Sequence, residues 1–166
     1  MAEDAEAVLR MMEAEFHRGP DDWGILIPSS LAAEIRLPWL LQPGGREYLR
    51  TYPDVGSGPG AILGTRQLSI LDLSRQGRMP MGSGDGRLWI TNNGEIYNYR
   101  SFGPLDGHGE SFHSATDAEA ILRGYAVWDE TVVARQRGMF AFVLFDEPLS
   151  GSSSPLRFER SSEAGC

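Results

Sequence analysis

The 166-residue chain is long enough for one domain with a substantial core and too short for two typical ones. An apolar fraction of 41% and a charged fraction of 23% are those of an ordinary globular protein. The net charge of −8, from 15 basic and 23 acidic side chains spread along the chain, argues against a general affinity for nucleic acid or anionic lipid. Cys166 is the single cysteine, which excludes a disulfide framework and a cysteine-rich zinc site within one chain, and no metal site is expected. The acidic N-terminus (Glu3, Asp4, Glu6) lacks the order of a signal peptide, and no apolar run approaches the roughly 20 residues of a membrane span. The expected location is the cytoplasm.

In residues 3–17, Ala5, Val8, Leu9, Met12 and Phe16 recur at spacings of three and four, which predicts an amphipathic helix stopped by Gly19-Pro20. Residues 25–60 read as an irregular insertion, because the apolar stretch 31–41 is broken by Pro38 and followed by Gly- and Pro-rich loop. The clusters Gly56 to Gly60 and Gly82 to Gly86 lack the Lys-Ser/Thr of a P-loop and read as turns.

From residue 61 the pattern changes to strands, expected at 61–71, 87–91 and 95–99, with Asn93-Gly94 as a tight-turn signal between the last two. Residues 116–128 predict a helix with Thr116 as N-cap, Glu119 completing a capping box, and Ile121, Leu122, Tyr125 and Trp128 as the apolar face. The continuous apolar run 139–145 predicts a strand covered on both faces. Residues 147–166, rich in Ser, Gly and charge, read as a disordered tail. This order fits an α+β arrangement of sheets with helices packed on them, and none of it names a function.

Five ordered segments carry more: HRGPDDWG (17–24), GTRQLSILDLS (64–74), NNGEIYNYR (92–100), TDAEAIL (116–122) and RGMFAFVLFD (137–146). The series resembles the N-terminal glutaminase domain of asparagine synthases, which are class II glutamine amidotransferases, over residues 5–146. The resemblance implies an N-terminal-nucleophile-type four-layer αββα sandwich, expected here to be incomplete at both ends, with one amidotransferase domain over residues 1–146. It also implies release of ammonia from glutamine for asparagine synthesis. The family's nucleophile is an N-terminal cysteine whose α-amino group, with an ordinary pKa near 8, accepts the thiol proton.

Carried onto this chain, the resemblance makes the Asn93 side-chain amide and the Gly94 N–H the oxyanion hole. The alternative for these two residues is the hairpin turn already noted. Glu95 and Asp117 would hold the α-ammonium of glutamine, while Asp117 also reads as an acidic first-turn residue of its helix. Arg18 and Asp21 lie in the loop that the family places beside the nucleophile, the alternative being an ion pair that holds that loop.

The departures matter as much. No cysteine stands near the N-terminus, and Cys166 has no adjacent α-amino group. Gln67 stands where the family has the arginine that grips the glutamine carboxylate; Arg66, next to it, should point to the opposite face of the strand. Gln136 replaces a buried leucine and Asn92 an apolar strand residue, each costing about 1–3 kcal/mol if buried without partners. No cofactor is expected in this chain, ATP and Mg belonging to a synthetase domain that is absent from it. Three functions stay open: a glutaminase domain whose start lies upstream, a non-catalytic glutamine-binding or interaction module, and a non-functional gene fragment. Expected partners are glutamine and either a separate synthetase domain or a second copy of the chain.

Overall fold

The computed structural model describes residues 2–34, 49–53, 60–67, 77–102, 114, 116–146 and 156–161. They fall in two compact units.

The first unit contains the described residues up to 67 together with 78–80. Helix α1 (Ala2–Ala14) ends in a short 3-10 turn at Phe16–Arg18, close to the predicted span. Strand β1 (Asp22–Pro28), helix α2 (Ser29–Glu34), β2 (Leu49–Tyr52) and β3 (Leu63–Gln67) follow. Strand β1 lies in the centre, parallel to β2 and antiparallel to β3. The reading of 25–60 as an irregular insertion is therefore corrected at 25–34 and 49–52. The run Ile25-Leu26-Ile27 is too short to show a period, but it is fully buried, as a central strand requires.

The core of this unit joins Ala5, Leu9 and Met12 of α1 to Ile25, Ile27 and Leu31. Gly64 allows the helix to cross β3 closely, since a Cβ there would lie 2.6 Å from Met12 Sδ and from Val8 Cγ1.

The second unit holds β4 (Met81–Gly82), β5 (Leu88–Ile96), α3 (Asp117–Trp128), β6 (Gly138–Asp146) and β7 (Leu156–Ser161). Its sheet has the order β4-β5-β6-β7 with antiparallel neighbours. Four expectations change here. Asn93-Gly94 is not a hairpin turn: β5 runs unbroken through it, with Gly94 opposite Phe140. Strand β6 is not covered on both faces over its length; Phe140, Phe142 and Leu144 are buried while Met139 is 59% exposed. The disordered tail is corrected at 156–161, where β7 pairs with β6.

The capping box of α3 does not form. Thr116 occupies the N-cap position with extended backbone but makes no side-chain cap bond. Glu119 instead accepts the backbone N–H and the hydroxyl of Ser114, both at 2.7 Å, and Arg123 at its other oxygen. The cluster at Gly82 to Gly86 is the expected turn, with Gly86 at φ +74° and its N–H donating to Ser83 O. Residues 54–59, which hold most of the other glycine cluster, lie outside the described residues, as do 68–71 and 103–109. Each unit supplies one sheet with its helices, an α+β arrangement.

Candidate functional site

In the first unit the structure gathers Arg18, Asp21 and Gln67 at one end of the sheet. The loop after α1 lies directly on β3: a Cβ on Gly19 would come within 2.6 Å of the Arg66 and Gln67 backbone. The N–H of Asp21 donates to the carbonyl of Gln67 at 3.2 Å, and Pro20 bridges to the same residue. An ion pair also fixes this segment at Asp22, which meets Arg78 Nε at 2.9 Å with both side chains largely buried. A Cβ on Gly24 would lie 2.0 Å from Met79 O, so residues 78–80 press against β1. Neither contact was legible in the sequence, because 56 residues separate Asp22 from Arg78.

Arg66 behaves as strand alternation predicts. Its Nε donates to Met12 O at 3.1 Å and its guanidinium lies 4.7 Å from the Phe16 ring centroid. It is committed to the C-terminal end of α1, and the side chain of Gln67 takes the other face of β3.

In the second unit Asn93, Gly94, Glu95 and Asp117 cluster around the end of β5. Asn93 and Glu95 are exposed. Gly94 has φ +132°, and a Cβ there would lie 2.1 Å from Met139 O. Only glycine fits this position.

The direction of the Gly94 N–H follows from hydrogen bonds at either end of β5. Leu88 exchanges bonds with Ser83 on the β4 side, whereas Tyr97 N–H donates to Arg137 O on the β6 side. Ile96 N–H points away from β6, to Asp117 Oδ2 at 2.8 Å. The period of two then places the N–H groups of Asn92 and Gly94 on this same edge. Strand β4 pairs only with Trp89 and Ile90, so among the described residues no strand neighbour covers the edge at Gly94.

Asp117 is 6% exposed, at the first position of α3. Burial pushes its carboxyl above the ordinary carboxylate range; the N–H groups of Ile96, Asp117 and Ala118 pull it back, and the Glu95 charge adds to the upward push. Two neighbouring carboxylates make a receptor for a cation. With the exposed amide of Asn93 and the outward Gly94 N–H, the second unit offers donors for an oxygen and acceptors for an ammonium.

Residues 54–151 match a family model described as a glutamine amidotransferase domain. The chain belongs to this family. It is a glutamine amidotransferase domain of the asparagine-synthetase kind. A relative from Mycobacterium tuberculosis (strain H37Rv), described as a putative glutamine-hydrolysing asparagine synthetase, is 33% identical over 152 residues, covering 87% of this chain and 19% of the relative. The glutamine-hydrolysing asparagine synthetase 1 of Bacillus subtilis is 38% identical over 96 residues, covering 55% of this chain and 15% of that one. Glutamine phosphoribosylpyrophosphate amidotransferase from B. subtilis superposes with a TM-score of 0.44 at 20% identity, over 54% of this chain and 22% of that chain. The amidotransferase domain thus spans about a fifth or less of the length of these relatives. Among the described residues no helix is long and apolar enough to cross a membrane.

Proposed function

We propose that the chain is the glutamine-recognising part of an ammonia-releasing domain in an asparagine-synthetase-like protein, and that the 166-residue polypeptide by itself does not turn glutamine over. The observation that carries this reading is the end of β5, where the Gly94 N–H lies on the same strand edge as the Ile96 N–H held by Asp117. Glu95 and Asp117 take the α-ammonium of glutamine. The Gly94 N–H and the Asn93 amide stabilise the oxyanion that forms when a nucleophile adds to the side-chain amide carbonyl, each donor contributing about 3–4 kcal/mol to that step. Gln67 takes the place of a carboxylate-binding arginine with a neutral amide, and Arg18 and Asp21 line the same end of its sheet.

Absence of turnover is supported by cysteine content: the only thiol, Cys166, has no α-amino group beside it to accept its proton. Gln67 adds to this, since an amide gives up the charge-assisted, bidentate pairing that arginine makes with a carboxylate. We assign ATP and Mg to a synthetase domain and not to these residues. Titration of the folded polypeptide with glutamine in a calorimeter, paired with an ammonia assay, tests both halves. Heat of binding at millimolar ligand without ammonia is the expected result. No heat from a folded sample overturns glutamine recognition, and ammonia at ordinary enzyme rates overturns the lack of turnover.

A further inference from the structure

The β5–β6 ladder ends formally at the pair Ile96 and Gly138, yet the strands remain joined beyond it. Tyr97 N–H donates to Arg137 O at 2.8 Å. The side chain of Asn98 then acts as one more strand residue: its Oδ1 accepts the Arg137 N–H at 2.8 Å and its Nδ2 donates to Arg135 O at 2.9 Å. A carboxamide supplies one acceptor and one donor at nearly the spacing of a peptide group, and both are used here.

This joint lies beside an unusual crossing. Gly94 and Gly138 both have positive φ, +132° and +155°. A Cβ on Gly138 would lie 2.0 Å from Glu95 O, and one on Gly94 would lie 2.1 Å from Met139 O. Each glycine therefore admits a carbonyl of the other strand. Two residues without side chains cannot lock this crossing by packing, and glycine leaves its peptide planes the most freedom to rotate. Fixed points close by are needed: Asp117 holds the β5 side at Ile96 N–H, and the pair of bonds made by Asn98 ties the β6 side, at Arg135 and Arg137, to β5.

We propose that Asn98 is a positioning residue whose amide locks the start of β6 onto the end of β5 and thereby sets the peptide plane of Gly94 and the placement of Glu95. The proposal rests on the reading of Gly94 and Glu95 as glutamine-recognising groups, and its test separates the two. Asn98→Ala removes both bonds. Asn98→Asp keeps the acceptor for Arg137 N–H but turns the donor to Arg135 O into a repelling oxygen.

The 166-residue polypeptide and both variants are compared by amide NMR and by glutamine titration. The expected result is a protected Arg137 amide in the unsubstituted protein, faster exchange in Asn98→Ala, and shifted Gly94 and Glu95 resonances in both variants. Glutamine affinity should fall about tenfold in Asn98→Ala at equal folded fraction, the size of one hydrogen bond's net contribution. Unmoved Gly94 and Glu95 resonances in a folded variant overturn the proposal. So does a freely exchanging Arg137 amide in the unsubstituted protein, which decides the matter even if both variants fail to fold. Failure of the unsubstituted protein to bind glutamine would sink the glutamine reading, while the resonance comparison would still decide the role of Asn98.

Discussion

The carboxylate of Asp117 accepts the N–H of Ile96 at 2.8 Å, joining the first turn of α3 to the end of β5. The bond does two things at once. It satisfies a strand donor that has turned away from β6, and it brings a buried carboxylate beside Glu95. Local helix chemistry and tertiary placement therefore use the same side chain, as the acidic first turn and the family resemblance each suggested from the sequence.

Because burial raises the Asp117 pKa, folding and binding should respond to pH in opposite senses. The native state keeps this proton to higher pH than the unfolded chain, whose value is near the ordinary 3.8. Its contribution to stability is thus fully present below that value and is lost as pH rises through the raised one. Ammonium recognition needs the ionised form, so glutamine affinity should fall as pH falls through the same raised value. Asp117→Asn, which can still accept Ile96 N–H, should flatten both profiles, read by thermal melts and by titration across mildly acidic pH. A persistent pH dependence of affinity in the variant would show that Asp117 is not the responsible group.

Substitution of Gly94 by alanine meets two obstacles, a left-handed φ and a backbone oxygen 2.1 Å from the new Cβ. A loss of at least about 3 kcal/mol, or failure to fold, is expected. Gly84→Ala is the control, because its Cβ would have nothing within 4 Å and its φ is not positive. That change should stay within about 0.5 kcal/mol. Equal denaturant midpoints for the two variants would show that β5 does not cross β6 as described.

Glu119→Gln tests the arrangement that replaces the capping box. The buried carboxylate accepts from Ser114 through one oxygen and from Arg123 through the other. Glutamine is the same shape but has one acceptor, so either the Ser114 donors or Arg123 must lose a partner. A destabilisation of about 1–3 kcal/mol is expected in chemical denaturation. A neutral result would mean that Thr116 caps the helix after all.

Helix periods were the most legible part of the sequence: α1 and α3 appear close to their predicted spans. The β1 run was missed because three buried residues carry no period, and the β7 segment because its Ser- and Gly-rich approach looked like loop. Asn93-Gly94 misled in the other direction. The dipeptide favours left-handed turns, but here tertiary pairing uses the freedom of Gly94 inside a strand. The grouping of Glu95 with Asp117 was expected only from the family resemblance, since 21 residues separate Ile96 from the Asp117 carboxylate that holds it. The clamp at Asn98 and the Asp22–Arg78 pair were not, since both depend on register between segments far apart in the chain.

Gln136 offers the most direct test of how much the local departures cost this fold. It is 9% exposed, and neither its Nε2 nor its Oε1 has a hydrogen-bond partner among the described residues; Asn92 Oδ1 shares this condition. A buried amide without partners loses its hydration with no compensation, so an apolar residue of similar volume should be better tolerated there. Gln136→Leu restores the residue type that the family resemblance places before Gly138. The variant should gain about 1–3 kcal/mol in chemical denaturation and melt several degrees higher. The Gln136 N–H donates to Val133 O through the backbone, so the substitution leaves that bond intact and the gain is assignable to the side chain. An unchanged or lowered melting temperature would show that the amide is satisfied by water and that this departure costs the fold nothing.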